Sequence, residues 1–309
     1  MVDVSIIIVS YNTAELLENC INSIVEKTQN ISYEVIVVDN DSCDNSISLL
    51  YEKFDWVKVI VSKKNLGFGR ANNLGIEVAS GRNILFLNSD TILINNAIKI
   101  LSDFLDGNNA VGACGGNLFD ANCLPTQSFT RIFPGIIWEL NYITLNIFPK
   151  LFYGKNLHFN YSGKNIKVAR VSGADMMVPK RVLDVIGSFD PAFFLYSEET
   201  DLAYRITRSG YKIMSIYDAQ IIHLEGQSCS FSLKKTRWGM VSRNLFLRKR
   251  YRFTFLVYLC NLLHYLVCLI FLCRNLVFRR DSGDSQSIWY EIKNLHKSCL
   301  LYTSDAADE

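Results

Sequence analysis

Four apolar residues, Ile84-Leu85-Phe86-Leu87, run straight into Asn88-Ser89-Asp90. A short apolar run without polar alternation predicts a strand buried on both faces, in the middle of a parallel sheet. In open α/β sheets, ligands sit just beyond the carboxyl ends of the strands. A carboxylate placed there among short polar groups suits a divalent cation held against a phosphate. A plain Asx or Ser turn explains the same three residues without any ligand. The segment by itself leaves both readings open.

The neighbouring chain repeats the pattern. Residues 4–9, Val-Ser-Ile-Ile-Ile-Val, read as a strand ending in Ser10-Tyr11-Asn12. Asn12 as N-cap with Glu15 three residues on predicts a helix over 13–27, whose Leu16, Leu17, Cys20, Ile21 and Ile24 would pack on the sheet. A second strand over 35–38 delivers Asp39-Asn40-Asp41-Ser42, and a helix over 44–54 and a strand over 57–61 follow. Such alternation predicts a parallel sheet with right-handed crossovers.

Next comes Asn65-Leu-Gly67-Phe-Gly69-Arg70-Ala-Asn72-Asn73-Leu-Gly75, opening a helix to about 79. Its early glycines would let backbone approach a ligand, and the helix start after them favours anions. Asn72 holds the third position of what would be G-x-G-x-x-G, and no lysine stands where a P-loop needs one. These absences argue against a nicotinamide-dependent oxidoreductase and against a P-loop enzyme. A helix over 95–105 and a strand over 111–118 continue the core.

Over 120–167 the periodicity breaks down, with aromatic and aliphatic residues mixed among Pro, Gly and Asn. Long irregular segments are usually functional or mobile, and this one is read as acceptor-side material, with a merely variable insertion as the alternative. Order returns over 168–172, then Gly173-Ala-Asp-Met-Met-Val-Pro179 and a helix over 180–186. A loop bearing Phe193, Phe194 and Tyr196, of the kind that walls a sugar pocket, leads into Ser197-Glu198-Glu199-Thr200-Asp201 at a helix start. Acids there are also favoured by the macrodipole alone. Short strands over 210–216 and 219–223 end at His223.

These pieces together resemble the family 2 glycosyltransferases, and especially their rhamnosyltransferase-like members. The resemblance rests on Val-Ser-Tyr-Asn after strand one, Val-Asp-Asn-Asp-Ser after strand two, Asn-Leu-Gly-Phe-Gly-Arg-Ala-Asn-Asn and Leu-Asn-Ser-Asp-Thr. Gly-Ala-Asp-Met-Met, Tyr-Ser-Glu-Glu-Thr-Asp-Leu-x-x-Arg and His223 complete it, in the family's order, over roughly residues 2–250. It implies a GT-A fold, a mainly parallel sheet flanked by helices, with a sugar-nucleotide donor, a divalent cation (Mg²⁺ or Mn²⁺) and inversion at the anomeric carbon.

The resemblance further implies that Asp39 grips the nucleobase and Arg70 lies along the diphosphate. Tyr11, Asn12, Asn73, Asn88 and Ser89 complete the donor-binding set. The family's metal motif is Asp-x-Asp; here Asn88 takes the first position, as is common in this branch, leaving Asp90 as carboxylate ligand and His223 as a second ligand. The family places the catalytic base at the second acid of the pair, Glu199, where most relatives carry Asp. Glu198 stands beside it, and Asp201 is the reserve candidate, or else orients the acceptor or pairs with Arg205 one turn on. A base is needed because the acceptor hydroxyl loses its proton as it attacks, while cationic groups stabilise the leaving diphosphate. The donor implied is a dTDP- or UDP-sugar, with dTDP-rhamnose first, and the acceptor a lipid-linked or polysaccharide glycan of the cell surface. A membrane-tethered sugar-nucleotide-binding module without catalysis is the alternative. No feature suggests a nucleic-acid partner, and oligomeric state is not legible.

An apolar fraction of 49% with a mean hydropathy of +0.13 directs attention to a membrane-facing piece. Arg248-Lys-Arg-Tyr-Arg252 precedes an uncharged apolar run over 253–273 that contains Asn261 and His264, and Arg274, Arg279 and Arg280 follow it. Basic residues on both flanks fit a helix or hairpin lying in an anionic membrane surface better than a one-way positive-inside signal. The expected organisation is a catalytic domain over 1–230, with a nucleotide-binding half to about 118 and an acceptor half beyond it, then a basic and apolar helical membrane-associating region over 231–300. Nine cysteines without a C-x-x-C pair fit reduced thiols. No signal peptide is read at the N-terminus, so the expected location is the cytoplasmic face of the membrane. Residues 301–309 are unlike anything before them and read as a non-native tail.

Overall fold

The computed structural model describes residues 2–224, 233–278 and 288–294. The tail over 301–309 and the basic residues Arg279 and Arg280 lie outside them. The chain alternates β1 (Val4–Ser10), α1 (Ala14–Lys27), β2 (Tyr33–Asp39), α2 (Ser46–Lys53), β3 (Lys58–Val61), α3 (Phe68–Val78) and β4 (Asn83–Asn88). Then come β5 (Thr91–Leu93), α4 (Ala97–Asp106), β6 (Val111–Phe119) and β7 (Phe129–Thr130). Two short helices, α5 (Ile136–Ile143) and α6 (Ile147–Tyr153), precede β8 (Ile166–Val168), β9 (Arg170–Val171), β10 (Asp175–Pro179) and α7 (Lys180–Ile186). The chain continues with α8 (Glu198–Arg208), β11 (Lys212–His223), α9 (Leu233–Arg250) and α10 (Thr254–Phe278).

Nine strands form one sheet, in the order β3-β2-β1-β4-β10-β6-β11-β5, with β8 added on β11. The half from β3 to β4 is parallel, as the strand-helix alternation requires. β10 then enters antiparallel to both β4 and β6, while β11 returns parallel to β6. The apolar run of β4 is buried on both sides: Leu85 and Leu87 pack in one core cluster, Ile84 and Phe86 in the opposite one. A third cluster joins Phe193 to Leu245, Phe246 and Leu247 of α9 and to Val257 and Cys260 of α10, so these two helices are packed against the loop before α8.

Several local expectations change. α1 starts one residue later than expected, because Asn12 sits in the left-handed region (φ 54°) and turns its side chain away from the helix. Its Oδ1 accepts the Cys43 amide at 2.7 Å, and the Asp44 carboxylate accepts the first helical amide, Ala14, at 3.0 Å. The two short strands expected over 210–223 are one strand, β11, with an irregularity in pairing between Ser215 and Gln220. The region over 120–167 is not structureless; it holds β7, α5, α6 and a 3₁₀ turn over Gly154–Leu157. Its helices were hidden because they are hydrophobic nearly all round, with no polar stripe to set a period.

Candidate active site

Strand register creates the site. Ser10 pairs with Asp39 and Val9 with Asn88, so the ends of β1, β2 and β4 lie side by side. Ser89 and Asp90 form the turn into β5, and His223 at the end of β11 faces Thr91 of β5. This brings His223 Nε2 to 3.3 Å from both the Asp90 carboxylate and the Asn88 side-chain amide. Asp90 and His223 are nearly buried, and the Ser89 hydroxyl accepts that of Thr13 at 3.1 Å. A carboxylate, an imidazole and an amide converging at one point form a donor set that fits Mg²⁺ or Mn²⁺.

Asp39 is fully buried at the end of β2. Its Oδ1 accepts the Ser42 amide at 3.0 Å, but Oδ2 has no hydrogen-bond partner among the described residues. A buried acceptor left open in this way is suited to a ligand donor group. Tyr11, at the neighbouring strand end, is half exposed.

The glycine-rich segment behaves differently from its reading. A β-carbon at Gly67 (φ +79°) would lie 2.0 Å from the Phe194 carbonyl oxygen, and the Phe68 amide donates to that oxygen at 3.0 Å. These glycines therefore admit another part of the protein: Gly69 likewise faces Phe189 and Glu198. The first amide of α3 is occupied by the loop before α8. Asn73 is committed as well, clasping Phe189 by two hydrogen bonds of 2.8 and 3.0 Å. Arg70 donates from Nε to the Pro191 carbonyl at 2.6 Å, and its terminal nitrogens have no protein acceptor among the described residues.

Of the three aromatic residues expected to wall a sugar pocket, Phe193 is fully buried beneath α9 and α10. Phe194 packs at a tilt against Trp238 with centroids 4.9 Å apart, and Tyr196 stays exposed.

The two glutamates that open α8 have distinct surroundings. Glu198 is buried, its Oε2 without a partner among the described residues, and burial beside Glu199 pushes its carboxyl well above the usual range. Glu199 is ion-paired to Arg170 and accepts the Thr200 hydroxyl at 3.0 Å. Both contacts fall on Oε1, leaving Oε2 free of donors from the described residues. Asp201 pairs with Arg205 at 2.8 Å, and that arginine also donates to the carbonyls of Ile186, Gly187 and Ser188. Its geometry is that of a loop anchor. The acid pair and the Asn88–Asp90 turn meet across one short segment: Ala174 accepts the Asn88 amide at 3.0 Å, while Gly173 lies against Glu199.

Two residues here had no assigned role in the sequence. Arg170, the partner of Glu199, sits in a two-residue strand that carries no signal of its own. Asp175 is fully buried in β10, opposite Leu87; burial pushes its carboxyl up to about 7, against the pull of a 2.5 Å hydrogen bond from the Gly116 amide. A single acid heading an apolar strand was the available clue.

A family model described as glycosyl transferase family 2 matches residues 5–164, just over half of the chain. A UDP-Glc:alpha-D-GlcNAc-diphosphoundecaprenol beta-1,3-glucosyltransferase of Escherichia coli is 35% identical over 107 residues, 34% of this chain and 42% of that protein. A poly(ribitol-phosphate) beta-glucosyltransferase of Bacillus spizizenii is 36% identical over 100 residues, 31% of this chain and 16% of that protein. The matched region thus spans less than half the length of these relatives. Among solved structures, GalNAc-T7 with UDP, GalNAc and Mn²⁺ superposes with a TM-score of 0.59 at 15% identity, covering 72% of this chain and 43% of that one. The expected GT-A architecture, a mainly parallel sheet flanked by helices with an apolar C-terminal helix, is the fold observed.

Proposed function

The chain belongs to glycosyl transferase family 2, and on that premise we propose that it is an inverting, cation-assisted transferase. It moves a sugar from a nucleoside-diphosphate donor to a lipid-linked or polysaccharide acceptor in cell-surface glycan synthesis, with dTDP-rhamnose as the first donor to test. The observation that carries this reading is the meeting, across residues 173–174, of the Asn88–Asp90–His223 cluster with the Glu198–Glu199 pair. Support for the acceptor class comes from the relatives, two of which are named for diphosphoundecaprenol-linked and poly(ribitol-phosphate) substrates.

Asp39 takes the nucleobase through its open Oδ2, with Tyr11, Asn12 and Ser89 at the same edge. Arg70, anchored through Nε to Pro191, directs its terminal nitrogens at the diphosphate. Asp90 and His223, with Asn88 beside them, would hold Mg²⁺ or Mn²⁺, which when bound would supply positive charge against the leaving diphosphate. The acceptor oxygen bonds to the anomeric carbon as the bond from that carbon to the phosphate oxygen breaks, its electron pair leaving with the diphosphate. The hydroxyl proton passes to Glu199 Oε2, while Arg170 fixes the other carboxylate oxygen. Asp201 and Asn73 position loops, and Glu198 remains a buried neutral neighbour. The apolar α10 and its basic flanks hold the enzyme at the cytoplasmic face of the membrane.

The test is turnover of a panel of sugar nucleotides with Mn²⁺, Mg²⁺ or chelator, in wild type and Glu199→Gln. Chelator-sensitive use of one donor, lost in Glu199→Gln while donor binding survives, is the expected result. Donor binding without turnover in the wild type, with a lipid-linked acceptor present, would identify a binding module instead.

A further inference from the structure

We propose that α5, α6 and α10 together form one membrane-docking platform for an anionic bilayer surface, in which α10 lies in the plane of the interface and does not cross it. This extends the membrane part of the functional reading and is independent of the transferase chemistry. It adds a segment, α5–α6, that the sequence pattern assigns to the acceptor side.

Each of these helices turns large apolar side chains outward. Leu151 and Phe152 of α6 are 76% and 83% exposed, Ile137 of α5 and Leu262 of α10 more than half. α10 packs along α5, with Tyr142 and Phe271 in ring contact at 6.4 Å, and α6 follows α5 after three residues. Soluble monomers rarely expose an apolar surface of this extent without a partner for it.

The polar residues of α10 point the other way. Asn261 accepts from Arg243 and donates to Asn244, both at 2.7 Å, and His264 Nδ1 lies 3.1 Å from Glu139, itself bound to Arg243 at 2.5 Å. A helix crossing the bilayer alone would carry Asn261 and His264 into hydrocarbon without these partners. A helix of 25 residues bound by one side to the protein and apolar on the other is instead built to lie on the bilayer.

Charge selects the lipid. From residue 233 to residue 280 the sequence has eleven Lys and Arg and neither Asp nor Glu. From 140 to 174 it has five Lys and Arg and again no acid. Among these cations Arg170, Arg243 and Lys249 are ion-paired with Glu199, Glu139 and Asp190, and Glu291 lies 3.1 Å from His264. An apolar surface set in acid-free basic segments matches an anionic leaflet, since each nearby cation adds attraction that salt screens.

The experiment is sedimentation of the full chain with phosphatidylglycerol-containing and pure phosphatidylcholine vesicles. Wild type runs beside Leu151→Asp/Phe152→Asp in α6 and Leu262→Asp in α10, with thermal unfolding to show that each variant folds. The proposal expects binding to the anionic vesicles that weakens with salt, is released by alkaline carbonate, and falls roughly tenfold or more in each variant. Unaltered binding by the α6 variant overturns the platform while leaving membrane association by α10 intact. Retention through alkaline carbonate overturns the in-plane placement. Wild type that ignores both vesicle types, or an α6 variant that changes the oligomeric mass in place of partitioning, overturns the bilayer as occupant and points to a second copy.

Discussion

The edge of the sheet and the helical layer bury charge in opposite ways. At the sheet edge and the adjoining start of α8, Asp39, Asp175 and Glu198 each keep one buried oxygen without a partner among the described residues. In the helical layer, Glu139 is as deeply buried, yet Arg243 and His264 take both of its oxygens, and Asn261 and Asn244 complete the network. Open acceptors raise the energy of the empty site and become useful when a substrate arrives; filled ones hold helices together. The difference separates carboxylates with an open oxygen, of which Asp39 is the proposed ligand contact, from one whose oxygens are both taken up by the fold, although all look alike in the sequence.

Altering Glu199, beside the open Glu198, should leave the fold and remove function. Glu199→Gln is expected to lower kcat by roughly 10²–10⁴-fold, with donor affinity and unfolding temperature unchanged. Steady-state kinetics beside a donor-binding titration checks this, and a fall in affinity equal to the fall in kcat/KM would count against the base assignment.

Breaking the filled network should do the reverse. Glu139→Ala leaves Arg243 buried without its carboxylate and is expected to cost about 3–5 kcal/mol in the helical layer. Hydrogen exchange should rise in α9 and α10 while donor binding persists. The double variant Glu139→Leu/Arg243→Met should recover most of that loss, because an apolar pair of similar volume replaces the ion pair. If the single variant also abolished donor binding, the two regions would not be separable.

Asp175 sharpens the comparison through pH. Its carboxyl is raised in the folded chain from an ordinary value of 3.8 to about 7, so its contribution to stability is complete below about 4. That contribution is lost as pH rises through 7, at up to about 1.4 kcal/mol per pH unit. Denaturant unfolding over this window should show the slope in the wild type and its reduction in Asp175→Asn. Gly67→Ala is the smallest effect: a side chain at φ +79° facing the Phe194 carbonyl should cost about 1–3 kcal/mol and loosen the loop before α8. Equal stability of the two proteins would mean that this contact is easily displaced.

How far the sequence could be read depended on how local the physics was. β4 was legible because four apolar residues in a row have few other ways to be satisfied, and its burial on both faces follows. The acids and His223 were legible as candidates because they stand at the ends of elements, where sequence punctuation is strongest. Arg170 was missed because its importance comes from Glu199, twenty-nine residues away, and nothing near it records that pairing. The glycines of α3 were located correctly and explained wrongly: local sequence demands a close approach there, but not what approaches.

The amino-acid sequence alone thus determined the alternating sheet, the order of its strand-end motifs and the family, since each depends on residues within a few positions of one another. Only the tertiary structure decided which buried carboxylates are filled and which stay open, and that α10 lies half-embraced by α5 and α9. Those outcomes depend on contacts such as Arg243 with Glu139, made across more than a hundred residues, and chain closure over that distance leaves no periodic trace in the sequence.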